Sequence, residues 1–131
     1  MDLREIKLDY EGAMPDVEIV VEKSCLGRYL IELGGDDLET VETVLAGSIE
    51  GLDAVREHIT LNSTFARTTN DLRKRMLSWH LLVAPPCSDE EENFSASIRI
   101  MQDGRLVEGG LMEFSGTVLR PENLGGVARF V

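Results

Sequence analysis

Cysteine is scarce in this chain. Cys25 and Cys87 are the only two, too few and too far apart for a disulfide framework, so the expected state is a pair of thiols in a reducing compartment. Long apolar runs are missing as well. The first residues, Met-Asp-Leu-Arg-Glu-Ile-Lys, are charged and alternating rather than a secretory leader, and no stretch approaches the roughly 20 apolar residues that cross a bilayer. The cytoplasm is the expected location, with no membrane partner.

Positive charge is in short supply too. Lys and Arg number 13 against 24 Asp and Glu, a formal net charge of −11. A field of that sign repels phosphate backbones and anionic lipid at long range, because nucleic-acid binding relies on counterions released by Lys and Arg. Direct binding to DNA or RNA is therefore not expected.

The sequence also lacks the motifs that announce chemistry. It has no Gly-x-Gly-x-x-Gly, no phosphate-binding loop and no His-Glu-x-x-His. Gly47-Ser48-Ile49-Glu50-Gly51 places its serine one position too early for a nucleophile elbow. Only His58 and His80 are available as bases for a serine or cysteine nucleophile, and nothing local pairs them. Cys25, His58, His80 and Cys87 lack the close spacing of structural zinc ligands, so no metal, cofactor or catalytic residue is assigned.

What is present is ordinary globular composition: 131 residues, 43% hydrophobic and 28% charged, the size and make-up of one domain spanning residues 1–131. The charge is uneven. Residues 1–66 hold 15 acids and 5 Lys or Arg, whereas residues 67–131 hold 9 and 8. Such acidity serves solubility first; a sharper reading is that the acidic half meets a basic partner.

Period-two alternation marks three early strands. Ile6, Leu8 and Tyr10 alternate with charged residues; Val17, Ile19 and Val21 oppose Glu18 and Glu22; Tyr29, Ile31 and Leu33 oppose Leu30 and Glu32. Short polar turns between them predict an antiparallel meander. From Asp36 the spacing changes. Leu38, Val41, Leu45, Ile49, Leu52, Val55 and Ile59 recur every three or four residues and predict one long helix, with a break near Gly47 to Gly51 where glycine weakens it. Asp36 or Asp37 would cap it, with Glu39 and Glu42 in its first turns.

Residues 72–84 fit either period, with a strand from Met76 to Ala84 preferred and Pro85-Pro86 ending the element. Ala96, Ile98 and Ile100 form a further strand, and Asp103-Gly104 is a strong hairpin signal before Arg105-Leu106-Val107. Met112, Phe114 and Val118 suggest one more strand. The segment from Leu124 to Val131 is apolar enough to be docked.

The fold expected is α+β: an antiparallel sheet made of an N-terminal meander and a C-terminal hairpin unit, with a long or broken helix on one face. An all-β sandwich or barrel is the alternative, and it applies if residues 36–59 are extended. Acid pairs such as Glu32 with Glu18 or Glu22 could serve as acid and base, though a solvated sheet face explains them equally. Arg73-Lys74-Arg75, near Arg67, is the one local departure from acidity; it could grip an anion or an acidic partner, or balance the acidic half internally. The functional expectation is a non-catalytic protein-binding domain (inhibitor, adaptor, chaperone-like or assembly subunit) using an acidic surface, with Asp36, Asp37, Glu39, Glu42, Arg73, Lys74 and Arg75 as contact residues. Its partner would be another protein, possibly basic, or a second copy in a homo-oligomer. The alternative is a small-ligand pocket protein or enzyme with a histidine or carboxylate base.

Overall fold

The computed structural model describes residues 4–22, 25–34, 41–51, 54–61, 64, 66–85 and 92–131. Nine strands carry most of them: β1 (Arg4–Ile6), β2 (Asp16–Val21), β3 (Cys25–Gly34), β4 (Val41–Gly51), β5 (Val55–Thr60), β6 (Met76–Ala84), β7 (Glu92–Gln102), β8 (Arg105–Val118) and β9 (Glu122–Phe130). The strands form two sheets. Sheet 1 has the order β1-β9-β6-β3-β4 and sheet 2 the order β5-β2-β7-β8. Their inner faces share one apolar core, so the architecture is the all-β sandwich and not α+β.

The long helix expected over residues 38–59 is overturned. Val41–Gly51 runs antiparallel to β3, and Val55–Thr60 pairs with β2 in the other sheet. The reason lies in the spacing itself: Leu45 and Ile49, four residues apart, share one helical face and equally one strand face, while Val41, beyond a bulge, is exposed. β-branched Val41, Thr43, Val44 and Ile49 favour the pleated alternative. Between Ile31 and Glu32 the pairing slips by one residue on β4, leaving Val44 as the extra residue of a bulge. That bulge shifts the parity, so both Val44 and Ile49 are buried. Gly47 is no loose joint either. It lies opposite Tyr29, and a Cβ there would overlap the Tyr29 ring.

The N-terminal meander is also overturned, although its strands exist. β1 pairs parallel with β9, β2 sits between β5 and β7, and β3 between β6 and β4. Sequence neighbours thus go to different sheets. Alternation identified β2 and β3 and their inward residues, Val17, Ile19, Val21, Tyr29, Ile31 and Leu33, all buried, whereas of the first strand expected over Ile6, Leu8 and Tyr10 only Ile6 lies in β1 and Tyr10 falls in a turn. It carries no information about which strand each one pairs with.

Most of the later expectations match. β6 covers Met76–Ala84, with Leu77, Trp79, Leu81 and Val83 inward. β7 and β8 form the hairpin, and Asp103 and Gly104 take φ of 53° and 76° at its turn, the positive values a type I′ turn demands. Arg105 to Val118 is one continuous strand where two were expected, and Leu124 to Phe130 docks as part of β9. β1 ends by bridging the sheets: Lys7 pairs with Glu108 of β8. This closes that margin of the sandwich.

Core packing relies on aromatics laid over glycine. Trp79 faces Gly126 on β9, where a Cβ would enter the indole ring, and its ring meets Phe114 from sheet 2 at 6.4 Å between centroids. Phe130, Leu77, Ile98 and Ile100 fill the space around them and are fully buried. Among the described residues no helix is long and apolar enough to cross a membrane.

Candidate basic groove

At the end of sheet 1 where β6 begins and β9 finishes, the chain leaves a 3-10 turn at Thr69–Leu72 and enters β6 through Arg73, Lys74 and Arg75. Asp71 fixes this approach. Its carboxylate accepts hydrogen bonds from the backbone N–H of Arg67 (3.0 Å) and Thr68 (3.1 Å), and these hold its pKa below the usual carboxylate value. Arg75 in turn donates from Nε to the Asp71 carbonyl at 2.8 Å.

Lys74 is the unusual residue. Its φ is +70°, one of two non-glycine residues with positive φ among those described, a conformation that costs an L-residue roughly 1–2 kcal/mol. Flanking backbone pairing holds it there. The Lys74 N–H donates to the Phe130 carbonyl at 2.8 Å, and the Phe130 N–H donates to the Arg75 carbonyl at 3.0 Å. This pairing brings Arg129, on the outer side of β9, beside Lys74.

Arg73 is positioned by stacking. Its guanidinium carbon lies 4.1 Å from the centroid of the Tyr10 ring, a cation–π contact. Burial pushes the Tyr10 pKa up and the Arg73 charge draws it part of the way back. The Tyr10 loop is tied down by Gln102, a buried side chain. It accepts from the Asp9 N–H (2.9 Å) and donates to the carbonyls of Asp9 (2.7 Å) and Ala13 (2.8 Å). Three cations are therefore set around a groove of about 730 Å³, lined by Arg73, Lys74, Arg129, Phe130 and Val131.

The ion pairs among the described residues are Lys7–Glu108, Arg56–Glu18, Arg99–Glu18 and His80–Glu32, and none uses Arg73, Lys74 or Arg129. Glu5, the cross-strand neighbour of Arg129 on β1, forms no ion pair with it. A groove with two guanidinium forks, one ammonium and an apolar base suits carboxylates, which guanidinium binds in bidentate fashion.

The other expected site residues do not converge here. Asp36, Asp37 and Glu39 lie outside the described residues, and the helix they were to cap is replaced beyond them by β4. Glu42 stands on β4 and accepts from the backbone N–H of Thr64 at 2.8 Å. Arg129 was missed by the sequence reading. The available signal was its alternation with buried Ala128 and Phe130, but its nearness to Lys74 depends on a pairing across more than fifty residues.

The remaining chemical candidates are dispersed. Glu18 and Glu22 belong to β2 or its end, in sheet 2, while Glu32 lies on the outer face of sheet 1, so they form no acid–base pair. His58 is exposed on β5 opposite Glu18. His80 projects outward from sheet 1, 3.6 Å from Glu32. The two histidines thus sit in different sheets and share no site. Comparison with protein-family models, with curated proteins and with solved structures gives no match to this chain, so its function is argued from its geometry.

Proposed function

We propose that this protein is a non-catalytic binding domain that docks an acidic segment of another protein in the basic groove. The observation that carries the reading is the grouping of Arg73, Lys74 and Arg129, without a carboxylate partner among the described residues, around an apolar base in a chain of net charge −11. Of the contact residues expected from the sequence, Arg73 and Lys74 line this surface while Arg75 is turned to the Asp71 carbonyl, and the partner's complementary chemistry at the groove is carboxylate.

Two features support docking over an enclosed ligand. The space between the sheets is filled by Trp79, Phe130, Tyr29 and Phe94 together with aliphatic side chains. The groove is also pre-ordered, through Tyr10 stacking and the clamped Lys74 backbone, which lowers the entropy lost on binding.

The test is calorimetric titration with a Glu-rich peptide carrying one tryptophan, set against a Lys-rich peptide of equal length. The Glu-rich peptide is expected to bind, with affinity falling as salt rises, and the Arg73→Ala/Arg129→Ala double variant to lose that binding. Equal binding by both peptides, or an unaffected double variant, overturns the proposal.

A further inference from the structure

The two outer faces of the sandwich are not alike. On sheet 2, Glu18 is held between Arg56 (3.9 Å) and Arg99 (3.8 Å), and the face around it is serine-rich and charged. The outer face of sheet 1 carries a half-buried apolar strip instead. Leu30 on β3 lies between Ala46 on β4 and His80 on β6, with Leu82 diagonal to it and Ala84 beyond, while Val127 stands apart on β9 opposite Ser78. A shallow depression of about 480 Å³ lies on this face, lined by Arg28, Leu30, Ala46, Ser48, His80 and Leu82. An apolar strip on a solvent-facing sheet marks an interaction surface.

The charges along β3 say what fits it. Arg28 and Glu32 flank Leu30 on the same face, two residues to either side; Arg28 forms no ion pair among the described residues, and Glu32 lies 3.6 Å from His80. Such an order, cation, apolar residue, anion, is self-complementary. A second copy turned over by a two-fold axis in the plane of the face, perpendicular to β3 and passing through Leu30, runs its own β3 antiparallel above the first. Arg28 of each copy then meets Glu32 of the other, and Leu30 packs on Leu30. This is the isologous arrangement of a two-fold dimer.

We infer that the outer face of sheet 1 is a homodimer interface centred on Leu30, with its register set by reciprocal Arg28–Glu32 pairs. The basic groove lies beyond the Met76 end of this sheet, so dimerisation and peptide docking are read by separate experiments, and either can fail alone.

The experiment is sedimentation velocity on the full chain near physiological salt, with thermal unfolding of every variant to verify folding. The wild type is expected to dimerise. Arg28→Glu and Glu32→Arg each place like charges against one another twice, and each is expected to weaken association by at least about 100-fold. An equimolar mixture of the two variants restores both pairs in a heterodimer and is expected to recover the dimer. Leu30→Glu keeps Arg28 and Glu32 yet removes the central contact, and is expected to be monomeric in every mixture. A wild type that stays monomeric at the highest soluble concentration overturns the inference. So does a dimer that survives Leu30→Glu, or a mixture of the two charge variants that does not associate.

Discussion

Replacing Lys74 separates the shape of the groove from its charge. Lys74 holds φ at +70°, and the left-handed region costs an L-residue roughly 1–2 kcal/mol. Glycine there removes that cost but loses roughly 0.5–1 kcal/mol through its greater freedom in the unfolded chain. Lys74→Gly is therefore expected to stabilise the fold by about 0.5–1 kcal/mol, raising Tm by roughly 2–5 °C for a domain of this size. Lys74→Ala keeps the backbone penalty, and because the side chain is exposed it should leave Tm nearly unchanged. Both variants remove the same ammonium, so both should weaken a Glu-rich peptide equally, by about two- to five-fold for a solvent-exposed charge contact. Differential scanning calorimetry and peptide titration on the three proteins measure all of this. A Lys74→Gly variant no more stable than wild type, or one matched in Tm by Lys74→Ala, would refute the claim that backbone pairing forces this residue into a strained conformation.

Other substitutions probe the frame around the groove. Gly104 and Gly109 have nearly equal φ, 76° and 79°, but nothing lies within 4 Å of a Cβ at Gly104, whereas one at Gly109 would overlap the Glu5 carbonyl. Gly104→Ala should cost about 1 kcal/mol, the backbone penalty alone. Gly109→Ala should cost several times that, because β1 must move away from β8; equal losses in denaturant unfolding would sink the contrast. Phe130→Ala, at a fully buried position whose backbone clamps Lys74, should destabilise by about 3–5 kcal/mol. Asp71 has its folded-state pKa lowered by the backbone N–H groups of Arg67 and Thr68. Its contribution is therefore complete above the ordinary carboxylate pKa and is lost as pH falls through the lowered one. Stability against pH should flatten on the acid side in Asp71→Asn, and an unchanged slope would contradict the assignment.

The sequence revealed most strands and missed how they assemble. Alternation over 17–21, 29–33 and 76–84, together with the Asp103-Gly104 turn, is local information, and each of these elements is in place. Spacing by four at Leu45 and Ile49 satisfies a helix and a strand alike, and only pairing with β3 decides between them. Neither Gly47 nor Gly126 declares from sequence that it makes room for an aromatic ring. Sheet membership is less legible still, since β1, β2 and β3 each take partners from the later part of the chain. The same limit applies to the groove. Arg73 to Arg75 stand out against an acidic background, but Arg129 joins them only through the hydrogen bonds between Phe130 and residues 74 and 75.

The most direct test of the central claim is backbone amide chemical-shift mapping by NMR while a Glu-rich peptide is added. The proposed function requires the largest saturable shifts at Arg73, Lys74 and Arg129 to Val131, diminishing as salt rises. Shifts concentrated on sheet 2, or spread evenly over the surface, would contradict it.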